Sequence, residues 1–163
     1  MATILPDIDL FVSMYVQKEA VISSQIEGTQ ASLIDVFQKD RKQEKINETA
    51  EIINYVKAIN YAFNRLKELP LCTRLIKETH FVLLSDFRGS EKLPGELRRS
   101  QNWIGYHGCT LNTASFVPPA PSEMENALSD LEKYIHRESL ISKLVKIALV
   151  HYQFEAIPPF FRW

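Results

Sequence analysis

Apolar residues recur along this chain at the three-or-four spacing that lines one side of a helix, in five separate stretches. In the first, Asp7 to Ile26, the residues Ile8, Phe11, Val12, Tyr15, Val16, Ala20, Ile22 and Ile26 form one stripe. Asp7 or Asp9 caps its start, and Gly28 supplies a residue that accepts the left-handed conformation of a helix end. The run Gln38 to Lys45 has charges of both signs and no stripe, which reads as a solvated loop. Asn47 then serves as an N-cap, with Glu48 and Glu51 in the first turn where the helix dipole favours acids. Ile52, Tyr55, Val56, Ile59, Phe63 and Leu66 form the buried face of this second helix, which reaches Leu69 and stops at Pro70. A third helix opens at Thr73 and passes through Leu75, Ile76, Thr79, Val82 and Leu83 to Phe87, ahead of Gly89.

From Gly95 the stripe disappears. Gly105, Gly108 and the polar residues Asn112 to Ser115 predict a hairpin with strands near Trp103-Ile104 and Phe116-Val117, closed by Pro118-Pro119-Ala120-Pro121. Ser122 and Glu125 have the spacing of a capping box, opening a fourth helix that buries Met124, Leu128, Leu131 and Ile135. The fifth, Leu140 to Ile157, is apolar nearly all round, which predicts a place at the centre of a bundle. The expected fold is mostly α, a helical bundle with one β-hairpin.

Composition narrows the function. A chain of 163 residues, 45% hydrophobic and 24% charged, fits one soluble domain with a sizeable core. A net charge of -1 gives no electrostatic reason to expect nucleic acid or an anionic membrane as partner. Cys72 and Cys109 stand far apart without metal-type spacing, as free thiols of a reducing compartment would. No N-terminal run reads as a signal peptide, and no apolar run approaches the ~20 residues that span a bilayer. The expected location is cytoplasmic.

Three motifs then carry a resemblance. The run from Ala148 through His151, Tyr152, Phe154, Glu155 and Ile157 to Pro158-Pro159-Phe160 resembles the helix A-x-x-H-Y-x-F-E-x-I that leads into the active-site loop H-P-F-x-D-G-N-G-R-x-x-R of the Fic family. Members of that family use ATP and magnesium to transfer AMP to protein hydroxyls. By this resemblance Pro158 stands at the family's catalytic histidine and Arg162 at its acidic metal ligand. Proline accepts no proton and a guanidinium ligates no magnesium, and loss of a general base alone costs about 10²–10⁴-fold in rate. The resemblance therefore implies no catalytic residue, no metal site and no cofactor for this chain.

Ser23, Glu27 and Gly28 match the inhibitory-helix pattern [ST]-x-x-x-E-[GN] of the same family, in which the glutamate pairs with an arginine of the catalytic loop. The segment from Gly95 to Pro119 resembles its pattern G-x-[FY]-R…I-G…F-V-P-P, with Leu97 in place of the aromatic. That pattern implies a flap, formed here by Trp103, Ile104, Gly105, Phe116 and Val117, which adds a target protein segment as a strand. Without the resemblance, Glu27 is a solvated surface acid and the flap a surface hairpin joining two helices.

The expectation is a single incomplete Fic-like domain. Residues 1–45 hold the inhibitory helix, and residues 46–163 are a Fic core without its C-terminal helices, as a frameshift would leave it. Such a chain transfers no AMP alone, binds a protein through its flap, and self-associates through the bare last helix. Two alternatives stand beside it: an AMP transferase restrained by Glu27, if the end of the sequence is in error, and a binding module that inserts Glu27 into a Fic partner in trans. His151 and Glu155, one turn apart, are two metal ligands without a third, and nothing orients His107 towards Cys109. Neither G-x-x-x-x-G-K-[ST] nor G-x-G-x-x-G occurs, so there is no familiar phosphate loop.

Overall fold

The computed structural model describes residues 8–26, 43–85 and 93–161. Among them are five α-helices: α1 Ile8–Ile26, α2 Gln43–Arg65, α3 Thr73–Leu84, α4 Pro121–His136 and α5 Lys143–Ala156. The helix starting at Gln43 takes in the end of the charge run that the sequence assigns to a loop. Pairing follows chain order: α1 packs on α2, α2 on α3, α3 on α4 and α4 on α5.

Two apolar clusters hold this arrangement. Ala20 and Val21 of α1 meet Ile52 of α2, with Tyr55 and Val56 packed against them. Met124, Leu128 and Leu131 of α4 close on Ile157, and Leu97, Ile135, Val150 and Phe154 complete that cluster. The predicted stripes are thus half right. Ile22 and Ile26 of α1, Phe63 of α2 and Leu66 just past its end are exposed.

Side chains from one helix finish the ends of another. Glu132 of α4 accepts from the backbone N–H and the hydroxyl of Thr73, at 2.8 and 2.9 Å, and so caps the start of α3. The Thr73 amide is the main reason its carboxyl is held below the usual range. Buried Asn54 of α2 donates to the Ser85 carbonyl at the other end of α3, at 2.6 Å. Helix α4 starts one residue before the expected capping box: Pro121 takes the first position, and Glu123 accepts from the Ala120 N–H at 3.2 Å. Ser142 caps α5 by accepting from the Val145 N–H.

Two expectations need correcting. The hairpin is reduced to one antiparallel bridge, Ile104 to Phe116, and the described residues contain no strand. The turn between its arms is held by its own polar groups. A short 3₁₀ turn spans Leu111–Thr113, the Thr113 hydroxyl accepts from the Thr110 N–H, and the Trp103 indole donates to the Cys109 carbonyl. Nor is α5 central: no residue of it is buried, and it rests on α4 through one stripe only.

Candidate functional site

The site grows from the segment that follows α5. Ile157 is buried in the α4 cluster, and the chain then leaves the helix through Pro158, Pro159 and Phe160. Prolines offer no N–H, so Pro158 and Pro159 can be held only by their carbonyls and rings.

Arg98 holds them. Its side chain is 2% exposed and spreads over three backbone carbonyls: Nε donates to Pro158 at 2.8 Å, one terminal nitrogen to Ser100 at 3.1 Å and the other to Pro119 at 2.5 Å. Its backbone N–H donates to the Pro159 carbonyl at 2.9 Å. Buried Asn102 continues the row, donating to the Phe160 carbonyl at 3.0 Å. One guanidinium therefore ties the segment after α5 to the start of α4 and to its own loop. Burial pulls the pKa of Arg98 below its ordinary value, yet an arginine stays charged at any physiological pH.

His80 of α3 closes the other side. Its ring stacks on Phe160 with centroids 3.7 Å apart and planes 7° from parallel. Its Nδ1 accepts from the Gly95 N–H at 2.9 Å, which fixes the neutral tautomer with the proton on Nε2. Burial pushes this imidazole down to about 4. Gly95 has φ +75, and a Cβ there would lie 3.1 Å from both the Lys77 carbonyl and the Phe81 Cβ, so only glycine lets the loop lie this close to α3.

Beside Gly95 an open groove of about 660 Å³ is lined by Tyr61, Arg74, Lys77, Phe81 and Glu96, among others. Glu78 sits in its wall and accepts from Arg65 Nε at 2.8 Å, Arg74 Nε at 2.8 Å and the Tyr61 hydroxyl at 3.0 Å. These bonds, that of Arg65 first, hold its carboxyl at about 2. The charges in this wall are mutually satisfied, which makes it a structural knot joining α2 to α3.

The residues singled out in the sequence fall as follows. Pro158 is half-buried, with its carbonyl held by Arg98. Ser23 lies on α1 and donates to Glu19 at 2.6 Å, an acid that also accepts from Tyr55. Glu27, Gly28 and Arg162 lie outside the described residues. Trp103, Phe116 and Val117 are 43%, 41% and 47% exposed around the single bridge, beside half-buried Ile104 and exposed Gly105. A Cβ on Gly105 would come within 2.5 Å of the Cys109 sulfur.

Among the described residues no three His, Cys, Asp or Glu side chains converge, and the carbonyls of residues 158 to 160 are already engaged by Arg98 and Asn102. Sequence reasoning missed Arg98, Asn102 and His80 as a unit. The flap pattern contains Arg98, but spacing assigns it no burial, because arginine is rarely buried.

The fold is found in solved proteins. The chain superposes on a Fic domain containing signaling protein from Bacteroides thetaiotaomicron with a TM-score of 0.79 and 17% identity, over 99% of this chain and 62% of that one. A Fic family protein from Desulfovibrio desulfuricans gives a TM-score of 0.68 and 17% identity, over 93% and 44%. The chain thus spans less than two thirds of the length of either. In sequence, residues 1–64 match the Fic/DOC family N-terminal domain and residues 70–162 the Fic/DOC family domain. The chain belongs to the Fic/DOC family.

Proposed function

We propose that this chain is a protein-docking member of its family that transfers no AMP by itself. The observation that carries this is Pro158. It occupies the place where the resemblance puts a proton acceptor, and its only polar backbone group, the carbonyl, is held by Arg98. Residues 157 to 161 contain no carboxylate or imidazole to activate a hydroxyl or hold a metal. The docking half of the proposal rests on the loop around the Ile104–Phe116 bridge. Trp103, Phe116 and Val117 are exposed beside a ladder one rung long, a surface on which an extended peptide can add backbone bonds and bury apolar side chains.

The test is incubation of the purified chain with magnesium and ATP labelled in the α-phosphate, alone and with a cell lysate as a source of acceptor proteins. Labelling should not exceed that of a heat-denatured control. Labelled protein that depends on the native chain would refute the proposal.

A further inference from the structure

Residues 98–104 are bonded to two other segments at once. Towards 116–119 they run antiparallel: Arg98 donates to the Pro119 carbonyl, Gln101 to the Pro118 carbonyl at 2.7 Å, and the backbones of Ile104 and Phe116 bond each other at 2.8 and 3.0 Å. Pro118 and Pro119 have no N–H to give to a backbone ladder, so side chains supply the rungs there. Towards 158–160 the same stretch gives the Arg98 amide to Pro159, Arg98 Nε to Pro158 and the Asn102 side chain to Phe160. The Phe160 ring then stacks on His80 of α3. The exposed loop around the Ile104–Phe116 bridge is thus continuous, bond by bond, with the segment after α5.

The chemistry of these links makes partial opening costly. Arg98 and Asn102 are buried, and Arg98 is a cation bonded to carbonyls alone, two of them in different segments. Releasing one segment withdraws part of that compensation while the other still covers the guanidinium. Releasing both lets water replace all the lost partners. A half-open state is therefore disfavoured, which is the condition for two surfaces to share one equilibrium.

We propose that residues 98–104, 116–119 and 158–160 open and close as one unit, so that a peptide which orders the loop around the bridge also fixes the segment after α5. The consequence for docking rests on the function proposed above. The coupling itself is read without any ligand, so the two can fail separately.

Amide hydrogen exchange of the whole native chain, followed by NMR, tests it. The Arg98 amide reports on 158–160 through its bond to Pro159, and the Ile104 and Phe116 amides report on the bridge. Leu128, buried in α4, reports on global unfolding. Gln101→Ala removes the rung to Pro118, a contact outside 158–160. Phe160→Leu removes the ring stacked on His80, a contact outside the bridge. Each substitution should speed exchange at Arg98, Ile104 and Phe116 by one common factor of about three to ten, as expected for one lost contact, and leave Leu128 unchanged. The proposal is overturned by a factor at Arg98 that differs from that at Ile104 and Phe116, by equal acceleration at Leu128, or by no acceleration at all. Bridge amides already unprotected in the wild-type chain would overturn it too.

Discussion

Replacing Arg98 with methionine keeps much of the side-chain volume but removes the side-chain donors, while the backbone N–H on Pro159 and Asn102 on Phe160 remain. Three carbonyls lose their partner: Pro158, Pro119 and Ser100. A buried acceptor left unsatisfied costs about 1–3 kcal/mol. Ser100 is exposed and can turn to water, so two carbonyls carry most of the loss. Against this, methionine relieves the desolvation of a buried cation that has no carboxylate partner, a term that can favour the apolar variant by ~1 kcal/mol or more. The carbonyl term should win, because Pro158 and Pro119 lie in separate segments that this one fork bonds together, leaving a net loss of about 2–4 kcal/mol. For a chain of this size that is roughly 5–15 °C in Tm. Arg98→Lys should fail to rescue, since one ammonium cannot span three carbonyls spread around a planar fork. Urea unfolding followed at 222 nm reads the midpoint and slope together. An Arg98→Met midpoint equal to wild type, or a full rescue by lysine, would refute the view that fork geometry holds this segment.

Other substitutions probe the frame around it. His80 is held at about 4 in the fold against an ordinary 6.5, so the unfolded chain gains a proton between those values that the folded chain refuses. Stability is undiminished above pH 6.5 and falls as the pH drops towards 4. The full shift is worth about 3 kcal/mol, and screening at a half-buried ring reduces this to about 1–2 kcal/mol. His80→Phe, which keeps a ring against Phe160, should flatten that slope in urea midpoints, and an unchanged slope would count against the assignment. Glu78, held at about 2, contributes stability that is complete above its ordinary 4.5 and is lost as the pH falls through 2. Glu78→Gln should shrink that acid-side loss, and a double-mutant cycle with Arg65→Met should show coupling; strict additivity would dissolve the knot. Gly95→Ala should destabilise by about 1–3 kcal/mol, since its φ is positive and its Cβ would press on Lys77 and Phe81. A neutral effect in thermal unfolding would mean the loop can move away from α3.

Helix identity was legible in this sequence because it depends on local spacing. Met124, Leu128 and Leu131 recur every three or four residues, and all three are buried. Boundaries followed less well where backbone chemistry competes: Pro121 is better suited than Ser122 to the first helical position, which moved the start of α4. The hairpin was overread because Thr110, Thr113 and Trp103 bond back to their own loop, an outcome that alternation of residue types does not encode. The apolar surround of α5 was read as centrality, but hydrophobicity shows only that a surface prefers cover and not which element covers it. The centre of the site was hidden for a different reason. Arg98, His80 and Phe160 are 18 to 80 residues apart, and their meeting is a property of the tertiary fold. The motif around Ile157 drew attention to this segment, and the resemblance supplied what position 158 holds in the family.

The central claim is that residues 157 to 161 are a fixed structural seam and do not receive nucleotide. It is tested most directly by following the amide resonances of Ile157, Phe160 and Phe161 during titration with magnesium and ATP. The account predicts that they stay in place up to millimolar nucleotide. Saturable shifts at those three amides, with the Gly95 amide moving alongside, would contradict it.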